Sequence, residues 1–125
     1  MLQQSSPRMQ APRPESAPPA GAQRSSVLSM LEATIQRLEE IVDQETHALR
    51  ARKVIDFKDF NNRKSQALLE LTRSLRLMQG TGPDPALAAR VGTLKVKLAI
   101  NQAALKVHLE AVREISTTLS EAIRN

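Results

Sequence analysis

Few residues of this chain have types and spacing that could do chemistry, and the two most conspicuous interrupt an apolar stripe. In IVDQETHALRARKVIDFKDFNNRKSQALLEL, residues 41–71, apolar side chains recur every three or four positions, as on a helix face. Glu45 and Lys64 stand on that same face, where leucine would be expected. A carboxylate and an ammonium in such positions could serve proton transfer, contact a partner, or neutralise one another across two helices. Nothing else in the sequence nearby suggests a catalytic site, so the pair reads as a structural device that sets helix register.

Asn101 interrupts a third stripe in the same way, and a buried Asn in a helical seam specifies register or oligomeric state. His47 and His108 are single and far apart, with no second ligand at i+3 or i+4, so they read as surface histidines rather than metal ligands. His108 has Glu114 six positions on, which is not a ligand spacing. The Ser and Thr residues of ISTTLSEA show no nucleophile elbow, and no Gly-rich phosphate loop occurs. With no Cys, thiolate catalysis, disulfides and Cys-based metal sites are excluded. The sequence therefore offers no catalytic, cofactor-binding or metal-binding residues, and the expectation is a protein that is not an enzyme.

The elements that must position these residues are helices. The 125 residues allow at most one domain, rich in Ala, Leu, Glu, Lys and Arg and nearly free of aromatics, a composition of helical bundles and coiled coils. Leu28, Leu31, Ile35, Leu38, Val42, Glu45 and Leu49 alternate steps of three and four, widened by Val27 and Ile41, and predict a first helix over about 26–53. Ser25 or Ser26 is the expected N-cap, and the basic end at Arg50, Arg52 and Lys53 suits the helix dipole. A break near Val54 and Ile55 carries neither Gly nor Pro; Asp56 then caps a second helix over about 57–79, with Phe57, Phe60, Lys64, Leu68, Leu71, Leu75 and Met78 as its stripe. GTGPDP, residues 80–85, is the clearest punctuation: Gly80 can end a helix, and Asp84–Pro85 can start the next. The third helix, about 85–123, would be about 58 Å long. Its main stripe runs Leu87, Val91, Leu94, Leu98, Asn101, Leu105, Leu109 and Val112, continued by Ile115, Leu119 and Ile123; Val96, Ile100, Ala103 and Val107 form a weaker one. The predicted fold is an all-α antiparallel three-helix bundle or coiled coil with a long C-terminal helix.

Five of the seven Pro lie in residues 1–20, mixed with Ser, Gln, Ala and Arg, so residues 1–24 read as a disordered tail ahead of a bundle over 25–125. No stretch suits a signal-peptide core or a membrane span, and the expectation is a cytoplasmic protein. The net charge of +5 is spread along the chain without a basic patch or stacking aromatics, which leaves nucleic-acid binding the least favoured reading.

Two geometric expectations follow. If helices 1 and 2 fold back on each other, Glu45 and Lys64 each lie about 14 Å from the turn and meet. Such a pair specifies register more than stability, because sliding the hairpin would strand each charge. If helix 3 packs back along helix 2, it reaches the first turn near residue 107 and runs on without a neighbour. An apolar stripe on an overhang marks an interaction surface, formed by Leu109, Val112, Ile115, Leu119 and Ile123.

The run LEEIVDQETHALRARKVIDFKDFNNRKSQALLEL resembles FlgN-type flagellar export chaperones. The similarity lies in Glu45 followed by Ala48 and Leu49, in Asp56 and Phe57 at the helix break, in Lys64 with Leu68 and Leu69, and in Asn101 with Leu105. It covers roughly residues 28–110. The resemblance implies a small cytosolic all-helical chaperone that holds hook-associated subunits of the FlgK and FlgL type before type III export. It also implies capture of their amphipathic terminal helices by the C-terminal segment, and docking at the export gate component FlhA. The chain departs from the family in lacking the Tyr of gate-docking tails and in its Pro-rich N-terminal segment. The alternatives are a homodimeric structural coiled coil and a basic helical nucleic-acid-binding protein.

Overall fold

The computed structural model describes residues 20–82 and 84–124, which form three helices and no strand. Helix α1 spans Ala20–Arg50, α2 spans Phe57–Leu77 and α3 spans Pro85–Arg124. The chain is an all-α bundle in which α2 runs antiparallel to α1 and α3 runs parallel to it. The first relation is set by Arg37 with Glu70 and Glu45 with Lys64. The second is set by Glu39 with Arg90, and Asp43 with Lys97.

Helix α1 is the middle element. Both α2 and α3 pack on it, while among the described residues α2 and α3 approach one another only through side chains. This corrects the expectation that α3 follows α2. The physical reason is the width of the apolar arc on α1. Leu31, Ile35, Leu38, Ile41 and Val42 are buried, and so are Thr34 and Thr46 beside them, enough surface for two neighbours. Helix α2 contributes the narrower row Ala67 and Leu71 to the core, with Met78 at its C-cap, and α3 contributes Leu94. Phe57 and Leu68, expected in the α2 stripe, are more than a third exposed. The weaker α3 stripe of Val96, Ile100 and Val107 faces solvent.

The helix ends follow local chemistry. The Asp56 carboxylate accepts a hydrogen bond from the Asp59 amide at 3.0 Å, and that of Asp84 accepts from the Leu87 amide at 3.0 Å, each satisfying an N–H the first turn leaves free. Gly80 and Gly82 take the left-handed conformation in the second turn, with φ of 84° and 89°. The start of α1 differs from expectation. Residues 20–24 are helical, Ser25 and Ser26 lie inside the helix rather than capping it, and Arg24 bonds the Thr81 carbonyl and pairs with Asp84. The rest of the expected tail, residues 1–19, lies outside the described residues.

The end of α1 comes at Arg50 rather than Lys53 and needs no Gly. Lys53 N–H donates to the Ala48 carbonyl at 3.0 Å and Arg52 N–H to that of Leu49 at 3.2 Å, the paired bonds of a Schellman stop. The residue placed left-handed to make it is Arg52, at φ 56°. Its Cβ crowds the backbone there, so Arg52→Gly should stabilise the fold by about 0.5–1 kcal/mol, net of the added freedom of the unfolded chain. Gly92 is the reverse case. It lies inside α3, and a Cβ built there meets nothing within 4 Å. Gly92→Ala should add about 1 kcal/mol. Each change should raise the melting temperature by several degrees, and a decrease on calorimetric melting would contradict the local reading.

Candidate functional site

Three polar residues singled out on separate helices meet in the interior. Lys64 Nζ of α2 donates to Glu45 Oε1 of α1 at 2.7 Å and to Asn101 Oδ1 of α3 at 3.3 Å. Asn101 Nδ2 donates to the same Glu45 oxygen at 3.0 Å and to Thr46 Oγ1 at 3.0 Å. Thr46 in turn donates to the Val42 carbonyl at 2.9 Å. The Glu45 side chain is 2% exposed and that of Lys64 15%. Glu45 and Lys64 thus occupy their stripes as a hydrogen-bonded pair, and Asn101 joins both to the third helix. Thr46 was missed by sequence reasoning. Its only signal was its place beside Glu45, where a hydroxyl can bond the carbonyl four residues back and accept from a neighbour.

The cluster is closed. Every polar atom named above is spent on a neighbour, and Glu45 and Asn101 are sealed from solvent, 1% and 2% exposed. His47 is exposed. The His108 ring lies 5.1 Å from that of Phe57, tilted by 48°, and so marks the level at which α3 passes the turn between α1 and α2. Among the described residues no three His, Asp or Glu side chains converge as metal ligands would, and no helix is long and apolar enough to cross a membrane.

A second charged row runs along the outer α1–α3 seam. Lys97 bonds Asp43 at 2.9 Å and lies 3.4 Å from Glu39, which also pairs with Arg90 at 3.3 Å. The hydrogen bond from Lys97 to Asp43 raises the lysine above its ordinary value, against the opposing cost of burial, with the charges of Asp43 and Glu39 adding to the rise. A raised folded-state value means the pair stabilises the fold below the unfolded lysine value and loses that contribution as pH climbs through the higher folded one. The pair is partly exposed, so Lys97→Met should cost under about 1 kcal/mol at neutral pH. The gap in melting temperature between parent and variant should be level from pH 7 to 9 and close above about pH 11. A gap that widens with alkalinity would contradict this assignment.

The open part of the molecule is the far end of α3. Past His108 every described residue is exposed, among them Leu109, Val112, Ile115, Leu119 and Ile123. These residues extend beyond the α1–α2 turn for about 24 Å. At the foot of this extension lies a groove of about 700 Å³. It is lined by Leu49 at the end of α1 and Ile55 in the turn, with Ala104, Val107, Ala111, Val112 and Ile115 from α3; Arg50, Arg52, Lys53 and His108 complete the lining. Sequence reasoning picked out Val112 and Ile115 but missed the contribution of the turn. There the cations had an adequate local explanation in the helix dipole, and Ile55 sat in a break with no periodicity. Leu109, Leu119 and Ile123 continue the exposed stripe outside the groove itself.

The fold and site together define a helical-bundle protein with a closed polar centre and an apolar extension open at one end. No protein-family model, curated protein or solved structure matches the chain.

Proposed function

We propose that this chain is a cytosolic export chaperone of the FlgN type, which covers the apolar face of a terminal helix of hook-associated subunits and so blocks premature assembly. The observation that carries the reading is the α3 extension. Sixteen residues of helix, 109–124, keep a stripe of Leu109, Val112, Ile115, Leu119 and Ile123, each more than two-fifths exposed. Exposed contiguous apolar surface on a small protein marks an interaction site. A helix beside a groove suits helix-in-groove recognition, in which spaced apolar anchors of one helix lie against another. Family resemblance in the hairpin and at Asn101 supports the same function.

The test is titration calorimetry with synthetic peptides of the terminal helices of FlgK- and FlgL-type subunits. Binding at micromolar concentration or tighter, about −8 kcal/mol, is the expected result. No heat and no gain of peptide helicity at hundreds of micromolar would reject the reading.

A further inference from the structure

The chemistry of the groove narrows what occupies it. Arg50, Arg52 and Lys53, all exposed, stand together at its rim, where α1 ends and the turn begins. Arg52 is there in a left-handed conformation that favours Gly, so a cation is kept at that rim against local backbone preference. The extension supplies no carboxylate to balance them. At about 100° per residue, Glu110, Glu114 and Glu121 fall about 160–180° around the helix from Val112, on the face away from the stripe. The residues that flank the stripe carry no negative charge: Ala111, Ser120 and Ala122 lie about 80–100° around the helix from Val112, as does Arg113. An occupant of this site meets an apolar floor and a positive rim.

Resting on the helix-capture reading, we propose that the partner is an amphipathic helix whose apolar stripe is flanked by Asp or Glu side chains, which pair with Arg50, Arg52 and Lys53. The same charge pattern disfavours the occupants that this chain itself could supply. A second copy of the extension, laid stripe to stripe, turns its own carboxylates outward and brings none to the cations. The N-terminal segment carries Arg8 and Arg13 against the single acid Glu15. Complementary charge at a rim speeds encounter and excludes wrong partners more than it adds affinity.

Two synthetic 18-residue helical peptides with one leucine stripe, one flanked by Glu and the other by Lys, test the proposal by fluorescence anisotropy. The Glu peptide should bind at least about tenfold tighter at 50 mM salt, and the preference should shrink at 1 M salt, where charges are screened beyond about 3 Å. Arg50→Glu with Lys53→Glu should abolish or reverse the preference. The paired control Arg73→Glu with Arg76→Glu, on exposed α2 positions that do not line the groove, should leave it intact. Circular dichroism melting confirms that each variant is folded. Equal binding of both peptides, still lost on Ile115→Ser with Leu119→Ser, would overturn the charge proposal while leaving helix capture standing. An equal drop in the control pair would reduce the preference to net charge and overturn it too. Binding of neither peptide, with sedimentation showing a dimer that Ile115→Ser and Leu119→Ser dissociate, would overturn both readings and make a second copy the occupant.

Discussion

Lys64→Met alone should destabilise the bundle by about 3–5 kcal/mol, the cost of leaving a buried charge without its partner. The stranded group is the Glu45 carboxylate, whose side chain is 2% exposed and would keep only the Asn101 amide as a donor. Against a typical total of about 5–15 kcal/mol, that loss leaves a marginal fold. Glu45→Leu should cost less. The ammonium it strands is 15% exposed, at the end of a flexible stem that can turn toward water, and it retains the Asn101 carbonyl oxygen. The double variant Glu45→Leu with Lys64→Met should be more stable than Lys64→Met alone, since desolvation offsets most of what the pair gains. Denaturant unfolding of the parent, both single variants and the double variant closes the cycle and isolates the coupling. Additive losses would mean that the two charges act independently, contrary to the 2.7 Å hydrogen bond between them.

Ile115→Ser with Leu119→Ser should leave the bundle folded and weaken client-helix binding at least about a hundredfold. The residues are 60% and 58% exposed, so truncating them removes little intrachain burial. Burying one Leu or Ile side chain against a client helix is worth about 1.5–3 kcal/mol, and about 2.7 kcal/mol is already a hundredfold in affinity. Thermal melting reads the first effect and calorimetry with the client peptide the second. A collapsed melt with binding retained per folded molecule would make these residues core. If both stay unchanged, the client binds elsewhere, and the exposed Val96 and Ile100, outside the groove, are the next surface to test.

The two predictions stand on different depths of reading. The residues of the first were visible in the sequence because a charge in a three-and-four stripe breaks a local rule, and an antiparallel hairpin with its turn near 54 brings positions 45 and 64 level. Three of the helix ends were legible for a similar reason: Asp56, Gly80 and the Asp84–Pro85 pair satisfy or release backbone groups within one turn of themselves. The beginning of α1 was misplaced because the bonds that accompany it, from Arg24 to Thr81 and Asp84, span 57 and 60 residues and have no local signal.

The sequence by itself determined three helices, most of their apolar faces and the register of the first hairpin, because each depends on residues within a few turns or on a single short loop. Only the tertiary structure decided that α3 lies along α1, since periodicity says which face of a helix is buried and not against what. That choice puts Asn101 on Glu45 and Thr46 as well as on Lys64, so that one polar cluster ties three helices. It also brings Val107, Ala111 and Ile115 beside Leu49 and Ile55, forming an open groove whose parts lie some 50 to 65 residues apart in sequence and whose cations, read locally, served only to end a helix.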